Sequence, residues 1–555
     1  MSRTLTPESS LELLKKEAKR WLKALRAGDP EARRRLVAAT PAAPVDPSLR
    51  DVQLALAREH GLPGWADLRQ ELFDLAMSQR SLEERVDIVL RSAWGGDLSA
   101  ALRILSRWPE IATHDLYIAA AAGNPAEVER RLAADPGAAT RKGGPLDWEP
   151  LLYVAYARLP DGERYALDVA RILLDHGANA NAQFDDGWGN PFKVLTGAIG
   201  QGEGDKRQHP QAHELALLLI ERGADPYDFQ SLYNTSITRD ATTWLDFLWA
   251  ESERRDRLEK WRDPATKIGG NVPLCALDYL LGNAVAYNHI LRAEWLLTHG
   301  ANADGVHAYS GRPLREEALI YGHAAMAELL VRCGASVSPL EGQAAFQAAC
   351  MRGDRDAARR LADQHPECLH DPAPMLTAAR QGRADVVELL LELGMDVDVA
   401  DEIEQRGLQV AVAGGSLEVV KLLVAHGADI DRPTTSFGGG AMGYAAHFDR
   451  REIATFLMPL SRDVLELTYL GMAERVRELF AEDPQLANAV SKKFGVTPLF
   501  CLPDDEDAAA EMTTLLIAHG ADPRFANKDG LTAEQVARKR GLIDAADLIA
   551  GGEMA

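Results

Sequence analysis

The sequence predicts an all-α protein: a solenoid of helix pairs with protruding turns, preceded by a small helical domain. Three observations predict it. One phrase recurs along the chain, as LLDHGANANA from Leu173, LLIERGADPYD from Leu218, LLTHGANADG from Leu296, LLVRCGASVS from Leu329, LLLELGMDVDVAD from Leu389, LLVAHGADIDRP from Leu422 and LLIAHGADPRFANKDG from Leu515. Its apolar residues have helical period, as in Val386, Val387, Leu389, Leu390 and Leu391. Finally, 555 residues are too many for one compact core, since single cores stop growing near ~250–300 residues, so the chain is several domains or a one-dimensional array.

Each part of the repeat has a physical reading. Gly177, Gly223, Gly300, Gly334, Gly394, Gly427 and Gly520 close the apolar run, where a helix ends in a left-handed residue that only glycine adopts cheaply. Ahead of the run, AARQG or AVAGG marks a short Ala-rich helix and a glycine turn, and alanine lets neighbouring repeats approach closely. After it, Asp or Asn suits a tight turn. One such helix pair cannot bury its own face and must stack on others. The intervals between these glycines include 34 and 33, and the longer ones hold insertions or degenerate copies: after Gly95, Leu116, Ala344 and Val464.

These features, with Gly415-x-Leu417-Glu418-Val419-Val420-x-Leu422-Leu423, Gly427-Ala428-Asp429 and Gly530-Leu531-Thr532, resemble the ankyrin-repeat family, whose unit is about 33 residues. The resemblance covers roughly residues 90–550. It departs from the family pattern in one respect: a T-P-L-H opening is nearly absent, the nearest versions being Thr497-Pro498-Leu499-Phe500 and Arg312-Pro313-Leu314-Arg315. Residues 1–80 lack the phrase. Ser9-x-x-Glu12 reads as a capping box for a first helix, and Asp29-Pro30, Ser48 and Gly64-Trp65 open three more. The stretch ALAREHGLPGWADLRQEL from Ala55 is similar to the helical segment that precedes ankyrin arrays in a group of bacterial proteins. The domains expected are therefore 1–80, helical; 81–335, irregular repeats with aromatic-rich insertions; and 336–555, more regular repeats with a C-terminal cap.

Composition excludes several classes of function. A net charge of −22 repels nucleic acid, and no stretch approaches the ~18 apolar residues of a membrane span. The N-terminus lacks the apolar core of a signal peptide, and five scattered cysteines, none in C-x-x-C spacing, fit reduced thiols in a cytoplasmic protein. Four of the 14 histidines (His176, His299, His426, His519) precede the repeat's glycine and are placed by the fold. His209 and His213 have metal-ligand spacing, but Pro210 puts His209 outside the helix. The acidic pairs at Asp185-Asp186, Asp401-Glu402 and Asp504 to Asp507 are adjacent residues on turns and do not face across a cleft as an acid–base pair must. No phosphate loop or nucleophile motif is present, and no catalytic residue, metal or cofactor is expected.

The expected function is a non-catalytic, monomeric scaffold or adaptor that binds another protein through its concave face and turn tips. Acidic balance favours a partner with a basic patch. All ten tryptophans fall at or before Trp295, and the insertions concentrate between Gly143 and Asp263. The expected contacts are Trp188, Tyr227, Tyr233 and Trp244 as anchors, with Asp185 and Asp186 steering. The alternative for these aromatics is that they fill gaps between irregular repeats. Two other functions stay open: an enzyme or small-ligand binder with a pocket formed by the insertions of residues 143–263, and an accessory protein that stabilises another enzyme.

Overall fold

Many helices begin at a side-chain cap, and the repeats end either at a left-handed glycine or ahead of a proline. In the computed structural model, residues 3–6, 10–95, 97–185, 187, 191–202, 207–264, 270–434, 439–491 and 494–552 are described. Two compact units result, one of residues 1–302 with 306–311 and one of residues 303–305 with 312–555. Almost all regular structure is helical. Among the described residues the exception is an antiparallel hairpin, Gln183–Asp185 with Pro191–Lys193, which pairs Phe184 with Phe192.

The first unit opens with helices Leu11–Arg26, Pro30–Ala39, Leu49–Glu59 and Trp65–Ser78. The first is capped by Ser10, whose hydroxyl accepts from the Leu13 N–H; the expected Ser9 lies outside the described residues. The capping box is instead Ser48 with Asp51. Leu14, Ala18, Trp21 and Leu22 meet Leu36, Val52, Leu56 and Leu68 in one core. Above it the Arg35 guanidinium lies 3.9 Å over the Trp21 ring and pairs with Glu17 and Glu59.

All seven phrase-ending glycines have positive φ, from +82° to +104°. Each is followed by a residue whose N–H bonds five residues back: Ala178 to the Leu173 carbonyl at 2.9 Å, and likewise Ala224, Ala301, Ala335, Met395, Ala428 and Ala521. This is the six-to-one bond of a Schellman cap, and it explains why the phrase reads Leu-x-x-x-Gly-Ala. The histidines before three of the glycines bond the carbonyl four residues back through Nδ1, at 2.9 Å for His176, 2.7 Å for His299 and 2.8 Å for His519.

The copies that look degenerate are intact helix pairs with another ending. Arg355–Gln364 and Ala473–Glu482 run directly into one-turn 3-10 helices, Pro366–His370 and Pro484–Asn488; Leu98–Arg107 and Pro125–Ala134 do the same at Pro109–Thr113 and Pro136–Thr140. Proline has no N–H to continue an α-helix and forces its predecessor out of helical conformation, so it terminates the run without glycine.

Past four of the seven glycine caps an Asx side chain reaches the next repeat. Asp396 Oδ1 accepts from Asp398 N–H at 3.0 Å, and Asp398 Oδ2 accepts from Asp429 N–H at 3.1 Å. The same cross-repeat bond joins Asn181 to Asp225 in the first unit, and Asp304 to Ser336, Asp431 to Arg462 and, past a proline ending, Asn488 to Asp522 in the second. Beneath these turns Val386, Val387, Leu390, Val419, Val420 and Leu423 are fully buried in a core that runs from Phe346 to Leu457.

A methyl group added at Gly427 would meet no atom within 4 Å, so Gly427→Ala tests the backbone alone. Its φ of +89° predicts a loss of about 1–2 kcal/mol, read as a lowered denaturation midpoint.

Candidate functional site

The aromatic side chains between Gly143 and Asp263 face largely inward. Trp148 stacks on Phe184 with ring centroids 4.4 Å apart, and Tyr156 and Phe192 complete that cluster. Arg158, buried beside them, donates to the carbonyls of Ala155, Ala157, Gly197 and Arg207, which ties the insertion to its repeat. A second cluster joins Trp249, Trp261, Trp295 and His299.

The expected anchors divide accordingly. Tyr227 is 7% exposed, edge-on to Trp261, and Trp244 is 5% exposed and parallel to His213 at 4.2 Å. Both are corrected from exposed anchors to largely buried rings: irregular repeats leave wide gaps, and large rings fill them. Tyr233 is half-buried on the helix Phe229–Ser236. Asp185 is exposed at the end of the hairpin's first strand, whereas Asp186 and Trp188 lie outside the described residues. His209 precedes the helix Ala212–Glu221 and accepts from Gln211 N–H through Nδ1. Burial, with the charges of Arg158 and Arg207, pulls its pKa down to about 4, so it is neutral near pH 7.

Beside a cleft of about 760 Å³ among Leu72, Phe73 and Arg103 at the first helices, two concave sites lie in later repeats. In the first unit a pocket of about 180 Å³ is lined by Gln201, Thr235, Arg239, Thr243, Trp244 and Arg292 among others. All of these but Arg292 come from the 143–263 region. In the second unit a larger cleft, of about 880 Å³, lies among Tyr444, Asp463, Glu466, Tyr469, Phe494 and their neighbours. The first lies where the sequence left open a pocket formed by residues 143–263, whereas sequence reasoning missed the second.

The second cleft combines acid and aromatic groups. Asp463 caps the helix Val464–Tyr469, accepting from Leu465 and Glu466 N–H at 3.0 and 3.1 Å. Glu466 points back from that helix: Oε1 accepts from Gly440 N–H at 3.0 Å, while Oε2 is buried without a partner among the described residues. A Cβ at Gly443 would stand 2.3 Å from Glu466 Oε1, so a larger residue there would push the carboxyl aside. Burial, then the charge of Asp463, pushes the Glu466 pKa up to about 7, and burial raises that of Asp463 also. Tyr469 and Phe494, both about half exposed, supply ring faces beside these acids. The available signal was a lone glutamate inside the apolar run Val464-Leu-Glu-Leu-Thr-Tyr-Leu470.

This architecture has a known counterpart. The family model for ankyrin repeats matches residues 316–401 and 375–468. Residues 316–468 are ankyrin repeats. The same capped helix pairs recur outside that segment, so the fold of the repeats in both units is ankyrin-type. A putative ankyrin repeat protein of Escherichia coli K12, YahD, is 28% identical over 32% of this chain and 94% of its own. The ankyrin repeat and SAM domain-containing protein 6 of Danio rerio is 28% identical over 36% of this chain, which spans only 28% of that relative's length. Among solved structures, an ankyrin repeat domain from Acinetobacter baumannii is 24% identical, with a TM-score of 0.26, covering 33% of this chain and 99% of its own. A complex of a Bdellovibrio bacteriovorus predatory endopeptidase with its immunity protein also matches, at 24% identity and a TM-score of 0.25, over 32% and 96%. Among the described residues no helix is long and apolar enough to cross a membrane, and no cluster of three His, Cys, Asp or Glu could hold a metal.

Two consequences can be measured. Trp244→Ala should destabilise the ankyrin repeats around it by about 3–5 kcal/mol in denaturant, where a surface anchor would leave the midpoint unmoved. The Glu466 carboxyl holds its proton more tightly folded than unfolded, so the stability it contributes is full below its ordinary pKa of 4.5 and is lost as pH rises through about 7. Glu466→Gln keeps the acceptor to Gly440 and no proton equilibrium. Its melting temperature should therefore gain on the wild type between pH 5 and pH 8.

Proposed function

We propose that this protein is a non-catalytic, monomeric protein-binding scaffold that works in the cytoplasm and engages a basic partner through the Glu466 cleft of its second unit. One observation carries the reading: two carboxyl groups with raised affinity for a proton sit in a cleft flanked by half-exposed aromatic rings. A lysine or arginine side chain satisfies every part of that arrangement. Its cation replaces the proton, its stem lies along Leu465 and Leu470, and its charge meets the ring faces of Tyr469 and Phe494. Ankyrin repeats generally mediate protein–protein contacts, and the net charge of −22 supplies long-range attraction for a basic partner. Asp185, exposed on the hairpin of the first unit, keeps its proposed steering role. The domain organisation proposed remains 1–80, 81–335 and 336–555.

The test is binding of Lys- and Arg-containing peptides, followed by fluorescence anisotropy. Affinity should rise from pH 6 to pH 8, since Glu466 must be ionised to pair with the cation. Glu466→Gln and Phe494→Ala should each weaken binding, the former also flattening the pH profile. Equal affinity for basic and neutral peptides would remove the cleft as the partner site.

A further inference from the structure

Alignment of the seven repeats on their terminal glycines singles out one residue. The position eight residues before the glycine is Val169, Leu215, Arg292, Met326, Val386, Val419 and Met512 in turn. Every one of these is at most 1% exposed, so the fold uses this position to fill the core. Six repeats fill it with an apolar side chain and one with a guanidinium. A charged side chain in such a place is unfavourable unless paired, so stacking alone does not account for it.

The arginine is only partly satisfied. Nη1 donates to the Ala241 carbonyl at 2.8 Å, but Nε and Nη2 are buried with no hydrogen-bond partner among the described residues. The nearby carboxylate of Asp240 is taken up by backbone, accepting from Leu291 and Arg292 N–H at 3.1 and 3.0 Å. Nε and Nη2 form the side-on edge of the guanidinium, the pair of parallel donors that matches the two oxygens of a carboxylate. Arg292 lines the 180 Å³ pocket together with Arg239, Gln201, Thr235, Thr243 and the edge of Trp244. That volume is below the ~300–1,000 Å³ of sites for drug-sized ligands and suits one acidic group with a short stem.

We propose that this pocket is a carboxylate-binding site, in which Arg292 pairs through Nε and Nη2 with the carboxylate of a small organic acid or of a peptide end. A carboxylate supplies one negative charge for one buried positive charge and two acceptors for two unused donors. Thr235, Thr243 and Gln201 surround the carboxylate with further polar groups, and Trp244 closes one wall. The site is separate from the Glu466 cleft, and either can fail while the other holds.

The experiment compares the full-length wild type with Arg292→Met and Arg292→Lys by thermal melting in sodium acetate, sodium succinate, sodium phosphate and sodium chloride at matched ionic strength. Arg292→Met adopts the solution of two sister repeats, Met326 and Met512, and serves as the folded control. The wild type should melt higher in acetate than in chloride. Arg292→Met should melt at or above the wild type in chloride and show no rise in acetate. Arg292→Lys keeps the charge without the paired donors and should bind acetate at least about tenfold more weakly. Triglycine against its C-terminal amide distinguishes the source: tighter binding of triglycine than of succinate, lost in the amide, assigns a peptide end, and the reverse order assigns a free acid. The proposal is overturned if the wild type shows no acetate-specific rise, or if phosphate protects and acetate does not. It is also overturned if Arg292→Met responds to acetate as the wild type does, or melts well below it in chloride.

Discussion

A single backbone hydrogen bond, repeated seven times, governs the rest of this structure. When the N–H after a left-handed glycine bonds the carbonyl five residues back, the chain leaves the helix in a fixed direction. After Gly177, Gly300, Gly394 and Gly427 that direction places an aspartate or asparagine where its side chain accepts an N–H from the following repeat. Stacking of the apolar stripes supplies most of the free energy, but the capped exit sets the register in which they meet. The four proline endings achieve the same exit by removing a donor instead of adding a bond.

How much of this was legible depended on which device each repeat uses. The glycine-ended repeats could be read because glycine, leucine and alanine each have a stated geometric duty there. The proline-ended ones passed for degenerate copies, because Asp135-Pro136 or Asp483-Pro484 stops a helix without the residue by which the others are recognised. In residues 1–80 the helix starts at Asp29, Ser48 and Gly64 were plain, while the first cap was displaced by one residue, to Ser10. The aromatic residues were the hardest to place. Insertions between Gly143 and Asp263 break the period, and without a period composition cannot tell an inward ring such as Trp244 from an outward one.

Both concave sites of the later repeats arise where the repeat rule is broken. Glu466 stands in an apolar helix with its carboxyl against Gly443. Arg292 occupies a slot that six sister repeats fill with hydrocarbon. Neither departure improves stacking, and each brings partly unmet hydrogen-bonding capacity to a cavity. Regular repeats account for the scaffold, so chemical specificity has to reside in such exceptions.

The guanidinium in the core also bears on how the stack stays closed. In a nearest-neighbour array, the stability of any repeat is its own plus that of its two interfaces. At this one slot the repeat that holds Arg292 forgoes the ~1.5–3 kcal/mol that a buried apolar side chain gives, so more of its closure rests on its neighbours and on the packing of Trp295 against Trp249 and Trp261. Loss of that packing would open these helices and let their amide protons exchange with solvent.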